Sequence, residues 1–307
     1  MTAAFRCSLA SAERLEPIEG TASTVRSFLL VEAPGPWGVE AVRDARMDDE
    51  VRQRLLGLER RHQVRPLLVR RHGRAGDGGG TRVFAAHVDR DRPWVETARL
   101  DDVRELLDVD LAGIAKGSSP GLTPHEDPVF CVCTHGRHDA CCAEQGRPVA
   151  AAMHAVAPGH TWEVSHIGGD RFAANVLVLP HGLYYGRLVP DDVPGFLESH
   201  LAGRLDLGHL RGRSSYPFSV QAAEVFLRRH LGADDLVPPR LEAHTRDGEL
   251  TRVVLEMAGS SWEVRVRTRP ADRSRLTCRA TTESAPPRHE LVAITPADPA
   301  LVQTRSR

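Results

Sequence analysis

Cys133 and Cys142 are separated by eight residues in the segment Cys131-Val-Cys133-Thr-His135-Gly-Arg-His138-Asp139-Ala-Cys141-Cys142. Further along comes Ser165-His166-Ile-Gly168-Gly169-Asp170-Arg171-Phe172. The first segment holds four of the chain's six cysteines, and the second pairs an imidazole with a carboxylate four positions on. Thiolate, imidazole and carboxylate together are the donors of transition-metal and redox centres. Nothing comparable occurs elsewhere in the chain, so these two segments carry the functional argument.

The elements that must position these residues can be read from periodicity. In the first segment, residues 27–33, 65–70, 81–88 and 95–98 are expected as strands, and residues 41–63 as a helix with apolar residues at helical spacing. Residues 101–108 open with acidic residues and are expected to be helical. The second segment repeats that order, with strands at 128–133, 161–165, 172–179 and 183–188 and helices at 148–157 and 191–201. Pro148 suits the first turn of the former helix, and Pro158-Gly159 ends it. A β-α-β-β-β-α order in each segment is compatible with a thioredoxin-like layer.

A helix is expected at 220–231, Pro238-Pro239 marks a boundary, and residues 250–257 and 261–267 form a hairpin around Ala258-Gly259. The expected fold class is therefore α/β: two consecutive thioredoxin-like layers plus a small β-rich C-terminal segment. The domain expectation is residues 1–120, 121–235 and 236–307, with the metal site in the second. The Gly73-to-Gly80 loop reads as a turn, and the last twenty or so residues as loosely ordered.

Within this frame Cys131 and Cys133 lie two apart on a strand and share a face. Cys133, at the strand end, is the ligand candidate, and Cys131 reads as a small buried apolar residue. Cys141 and Cys142 are expected in a connection ahead of the helix, and spacing alone does not choose between them. Gly168-Gly169 permits tight folding or close backbone approach between His166 and Asp170. His135 and His138 are assigned surface or ligand-supporting roles. Arg171 and Arg187 read as salt-bridging residues, Trp162, Tyr184 and Tyr185 as packing, and Asn175 as a hydrogen-bonding partner of the loop backbone.

Composition narrows the class. Hydrophobic residues make up 41% of the 307 and charged residues 26%, an ordinary globular balance. A formal net charge of −1 gives no reason to expect nucleic acid or an anionic membrane as partner. No apolar run reaches the roughly 18 residues of a membrane span, and residues 1–12 lack the pattern of a signal peptide. A cytoplasmic location is expected, where clustered cysteines are more often metal ligands or redox groups than disulfides.

The motifs Cys133-Thr-His135-Gly-Arg-His138-Asp139-Ala-Cys141-Cys142, Gly146-Arg-Pro148, Ser165-His166-Ile-Gly168-Gly169-Asp170-Arg171-Phe172-Ala-Ala-Asn175 and Pro180-His-Gly182-Leu-Tyr-Tyr185-Gly186-Arg187 resemble the sucrase/ferredoxin-like family. The resemblance covers roughly residues 20–231 and is strongest over 130–187. It implies a thioredoxin-like ferredoxin that holds a 2Fe–2S cluster on two loops. Carried over, Cys133 and Cys142 match the family's cysteines and His166 its first histidine. Asp170 stands where a second histidine is expected, so the alternatives are Asp170 as fourth ligand, Cys141 in its place, or loss of the cluster.

The resemblance thus implies an electron-transfer protein with one 2Fe–2S cluster and a redox partner such as a reductase. Two alternatives use the same residues: a zinc site on Cys133, Cys142 (or Cys141), His166 and Asp170, and metal-free thiol chemistry at Cys141 or Cys142. A further alternative is a noncatalytic interaction protein. Sucrose hydrolysis is not expected, because no pair of carboxylates in a sugar cleft can be nominated.

Overall fold

A computed structural model of the chain describes residues 4–74 and 79–297. A short helix α1 (Cys7–Glu13) precedes the first half of a large mixed sheet. That half comprises β1 (Ser27–Glu32), α2 (Asp49–His62), β2 (Val64–Arg70), β3 (Thr81–His87), β4 (Trp94–Leu100) and the two-residue β5 (Thr123–Pro124). The second half comprises β6 (Val129–Cys133), α3 (Ala140–Val156), β7 (Thr161–Val164), β8 (Val176–Leu179), β9 (Leu183–Tyr185), α4 (Val193–Leu201) and β10 (Leu210–Arg213). Helix α5 (Phe218–Leu231) leads to a separate antiparallel sheet of β11 (Arg240–Asp247), β12 (Leu250–Met257), β13 (Ser260–Pro270) and β14 (Pro287–Pro296), paired in that order.

The fold is mixed α/β, as expected, and the repeat noticed in the sequence is present in the topology. In the first half β1 pairs parallel with β2 and antiparallel with β3, and β3 pairs with β4. In the second half β6 pairs parallel with β7 and antiparallel with β8, and β8 pairs with β9. Each half is thus the same β-α-β-β-β layer. The two layers fuse where β2 meets β7 antiparallel, giving one sheet of order β10-β9-β8-β6-β7-β2-β1-β3-β4-β5.

Alternation along the strands divides the core. Phe28, Leu30, Leu67, Val69, Cys131, Cys133, Trp162, Val164 and Leu177 pack on one face across both halves. On the opposite face α2 covers the first half with Val51, Leu55 and Leu58, and α3 covers the second with Val149, Ala150 and Met153. Helix α5 turns Val225 toward the second half and Val220, Ala223 and Leu227 toward the small sheet.

The sequence expectation needs correction in several places. Helix α2 starts at Asp49, where the Asp48 side chain accepts the backbone N–H groups of Glu50 and Val51, and not at residue 41. Helix α3 starts at Ala140, eight positions before Pro148. Pro148 sits inside the helix on its exposed side. Burial of Val149, Ala150 and Met153 holds the helix together despite the hydrogen bond that proline forfeits. Cys141 and Cys142 therefore belong to the first helical turn and not to a preceding loop.

The tail also differs. Residues 287–296, expected to be loosely ordered, form the outer strand β14 through a full ladder with β13. Residues 298–307 of that tail, and residues 75–78 of the expected glycine-rich turn, lie outside the described residues.

His200 on α4 is 4% exposed, packed against Phe130 and Phe196, with neither ring nitrogen hydrogen-bonded. Burial first, then nearby His181 and Arg213, lowers its pKa to about 4. The unfolded chain takes up this proton near the ordinary value of about 6.5, and the native state takes it up only near about 4. Unfolding binds a proton in that window, so stability falls as the pH drops through it and is unaffected by this group above it. A His200→Phe variant should lose roughly 2–3 kcal/mol less stability than the wild type between pH 7.5 and 4.5, read from urea unfolding at the two pH values.

Candidate metal centre

The first of the two candidate segments is fixed by the end of β6 and the start of α3. Gly146 of α3 lies flat against Cys133, and a Cβ there would fall inside the van der Waals shell of the Cys133 carbonyl oxygen. The helix can come this close only because residue 146 has no side chain. Asp139 caps the helix, its Oδ1 accepting the Cys141 N–H at 2.9 Å. Thr134, next to Cys133, donates its hydroxyl to Glu163 at 2.8 Å, and Glu163 is paired at 2.7 Å with Arg70 of the neighbouring half.

The second segment follows β7. The Ser165 hydroxyl accepts the Leu68 N–H, tying the loop to β2. Gly168 and Gly169 adopt φ values of 96° and 83°, a left-handed backbone that brings Asp170 round beneath His166. From below, Arg211 donates to Gly168 O at 2.9 Å and to Asn175 Oδ1 at 2.8 Å, while Asn175 donates to Gly169 O. Arg211 is fully buried, which lowers its pKa to about 10. It still places a cation under a loop that carries a carboxylate. Its contribution has no local signal in the sequence, because β10 was not expected as a strand.

These two supports bring Cys133 Sγ, Cys142 Sγ and a ring nitrogen of His166 within 4.8 Å of one another. Asp170 adjoins the group and, with His138 and His166, forms a second one that shares His166. Cys142 Sγ donates to Asp170 Oδ1 at 3.2 Å, and His166 Nδ1 approaches the same oxygen at 2.9 Å. That approach is an ion-pair contact and not an aligned hydrogen bond, so a buried imidazole nitrogen is left without a hydrogen-bond partner. An orphaned nitrogen facing two thiols and a carboxylate fits a metal group that takes sulfur, nitrogen and oxygen donors.

The electrostatics agree. The Cys142 S–H lies beside Cys133 and draws the Cys133 thiol well below its ordinary range against the cost of burial, with His166 adding to the effect. Cys142 is pushed the other way by that same neighbour, by burial and by Asp170. Burial disfavours the His166 imidazolium, but Asp170 and Cys133 outweigh it and raise its pKa to about 9. Burial likewise opposes ionisation of Asp170, and His166 more than compensates.

The structure places the other sequence candidates differently from one another. Cys141 turns away from Cys133 and Cys142 and joins Cys7 and Cys278, its Sγ 3.2 Å from that of Cys278. It does not share the centre for which it was nominated as a substitute ligand. The cause is helical geometry: adjacent residues in one turn point about 100° apart. His138, given a supporting role from sequence, stacks on His166 with ring centroids 3.7 Å apart and reaches within 3.9 Å of Asp170 Oδ2. His135 is buried, accepts the His166 N–H at Nδ1 and donates from Nε2 to Gly38 O. Cys131 is core, its thiol pushed up by burial. Arg171 pairs with Glu16, and Arg187 donates to the Glu16 and Ser11 carbonyl oxygens.

One wall of the site comes from the first half. Residues 39–43 line a cavity of ≈ 210 Å³ together with His135, His138 and His166. This contact had no signal in a segment without cysteine between Cys7 and Cys131.

Against known proteins, the sucrase/ferredoxin-like family model matches residues 18–212, more than half of the chain. The chain belongs to the sucrase/ferredoxin-like family. A curated relative, altered inheritance of mitochondria protein 32 of Meyerozyma guilliermondii, is 28% identical over 83 residues. That match covers 24% of this chain and 29% of the relative, so the chain spans under a third of the relative's length. Among solved structures, a thioredoxin-like [2Fe-2S] ferredoxin from Aquifex aeolicus is 21% identical with a TM-score of 0.26, covering 30% of this chain and 97% of the ferredoxin. Its Cys55Ser variant is 22% identical with a TM-score of 0.24, covering 27% and 97%.

The contact between Gly146 and Cys133 can be tested directly. Gly146→Ala should cost about 1–3 kcal/mol of stability through overpacking. Gly159→Ala, at a position with open space around it, should show no comparable loss in the same urea titration.

Proposed function

We propose that this sucrase/ferredoxin-like chain is an electron-transfer protein that carries one 2Fe–2S cluster. Cys133, Cys142 and His166 would hold it, with Asp170 as the fourth donor. The observation that carries this reading is the convergence of two thiols and one imidazole within 4.8 Å, with Asp170 touching both kinds of donor. The bound cluster supplies reversible one-electron chemistry.

The surrounding residues fit that role. The two cysteines are buried, which keeps water from the sulfur side. His166 and His138 are partly exposed, so electrons would enter and leave across the stacked imidazoles. Asp170 holds a proton on His166 in the protein without metal, and release of that proton would accompany ligation. A redox partner protein, such as a reductase, would dock over this edge. A reducing compartment such as the cytoplasm would keep these cysteines available as ligands. No helix of the described residues is long and apolar enough to cross a membrane.

A second reading has its own observation. Two sulfurs and one nitrogen within 4.8 Å of one another, with Asp170 in contact with Cys142 and His166, also suit a single tetrahedral ion, and sulfur, nitrogen and oxygen are zinc donors. Metal analysis separates the two readings. Protein purified without oxygen should contain iron and acid-labile sulfide in about equal amounts, near two of each per chain, and give the EPR signal of a reduced 2Fe–2S centre. Colourless, iron-free protein after careful reconstitution would remove the cluster, and stoichiometric zinc sensitive to Cys133→Ser would favour the second reading.

The fourth ligand has a separate test. An anionic oxygen stabilises the ferric state more than a neutral imidazole does, so Asp170→His should raise the reduction potential in a spectroelectrochemical titration. An unchanged potential and spectrum in both Asp170→His and Asp170→Ala would remove Asp170 from the ligand set and leave the rest standing.

A further inference from the structure

A second group of donors lies behind the first. Cys7 at the start of α1, Asp139 and Cys141 at the start of α3, and Cys278 between β13 and β14 place one donor atom each within 4.8 Å of the others. Cys7 and Cys141 are fully buried and Asp139 nearly so. Cys278 is half-buried and leaves a path from solvent. We propose that Cys7, Cys141, Cys278 and Asp139 form a structural zinc site, distinct from the centre of Cys133 and Cys142.

The distances distinguish this from a covalent link. Cys141 Sγ lies 3.2 Å and Cys7 Sγ 3.6 Å from Cys278 Sγ. A disulfide requires about 2.05 Å. A tetrahedral zinc ion with Zn–S of about 2.3 Å separates its sulfurs by about 3.8 Å. With an oxygen at about 2.0 Å, the sulfur-to-oxygen edge is about 3.5 Å. The observed Cys7-to-Asp139 contacts are 3.7 and 3.8 Å. Three sulfurs and one oxygen thus lie within 4.8 Å of one another, with the sulfurs slightly closer than a tetrahedral edge, so an ion would enter by spreading them a few tenths of an ångström.

The surroundings are those of a thiolate site. Backbone N–H groups of Cys7 and Ser8 point at the sulfurs of Cys278 and Cys141, each at 3.5 Å. The Asp139 carboxylate is oriented by the N–H groups of Cys141 at 2.9 Å and Cys278 at 2.6 Å, leaving lone pairs for an ion. The first turn of α3, a helix of 17 residues, adds a favourable dipole for a thiolate at Cys141. On binding, the thiols release their protons to solvent and sulfur–zinc bonds form; no electron changes hands.

The ligands come from three places far apart in sequence. The N-terminal segment and the segment around Cys278 also meet through a small apolar cluster with Phe5, Cys7, Cys141 and Ala173, and through polar and cation–π contacts: Arg6 with Glu144 of α3, Arg275 over Phe5, and Arg279 with Arg137 O. One ion there would pin the first and last parts of the chain to the helix that presents Cys142.

The test uses the full chain in a Cys133→Ser/His166→Ala background, which disables the first centre and leaves the α3 turn intact. This variant should retain about one zinc ion per chain after gel filtration. Adding Cys278→Ser should abolish that retention, and chelation should lower the melting temperature of the parent but not of the triple variant. Should the triple variant fold poorly, cobalt(II) titration of the background supplies the answer, with thiolate-to-cobalt charge-transfer bands expected. Absence of those bands, absence of retained zinc, or a Cys141–Cys278 disulfide in protein made under reducing conditions would each overturn the site. None of these outcomes depends on a cluster at Cys133 and Cys142.

Discussion

Everything at the site depends on how α3 begins. Asp139 accepts the Cys141 N–H and fixes the first turn, and Gly146 lets that turn lie on the end of β6. Cys142 then faces Cys133 across the junction of strand and helix, while Cys141 turns aside toward Cys7 and Cys278. A helix that started at Pro148 would leave both thiols in a loop with no enforced direction. Capping and close packing therefore decide which sulfur joins which group of side chains, and neither is a property of the cysteines.

The two fused layers share the work of positioning the site. The antiparallel meeting of β2 and β7 sets Arg70 against Glu163 in a buried pair, and Glu163 holds Thr134 at the mouth of the site. A buried pair of this kind adds little net stability compared with apolar packing, but loss of either partner is costly. Its value here is positional. The connection from β1 to α2 occupies in the first half the place that the Cys133-to-Cys142 loop occupies in the second. It has no thiols, and it supplies a wall of the cavity and the Gly38 carbonyl that fixes His135. The first half works as a support and a partial cover for the second.

Much of this was legible in the residues. Alternation and helical spacing placed β1, β2, β3, β6, β7 and β12 within a residue or two, because each has an apolar run bounded by turn residues. The grouping of Cys133, Cys142, His166 and Asp170 came from the family resemblance, since spacing alone did not choose between Cys141 and Cys142. What was not legible depends on distance in sequence. Arg211 and Cys278 acquire meaning only when β10 and the small sheet fold back, and no local pattern marks either. Strand β14 was missed because Pro, Thr and Arg disguise an outer strand with one exposed face. The start of α3 was missed for a different reason: Pro148 is a strong local signal, and the packing that overrides it is tertiary.

The charges around the first centre follow from the same arrangement. A Cys133 thiolate and the Asp170 carboxylate, with the Cys142 S–H between them, concentrate negative charge in a buried place, and such a group is stable only if cations answer it. Without metal, the protonated His166 and the buried Arg211 do so, one beside Asp170 and one beneath its loop. A metal group would bring its own positive charge, release the His166 proton and turn the imidazole from counter-ion into ligand. Arg211 cannot be released in this way, since its hydrogen bonds to Gly168 O, Asn175 Oδ1 and Thr21 O hold it in the fold. Of the two cations beside the site, His166 is thus one that a metal would displace, while Arg211 is tied into the fold by its backbone contacts.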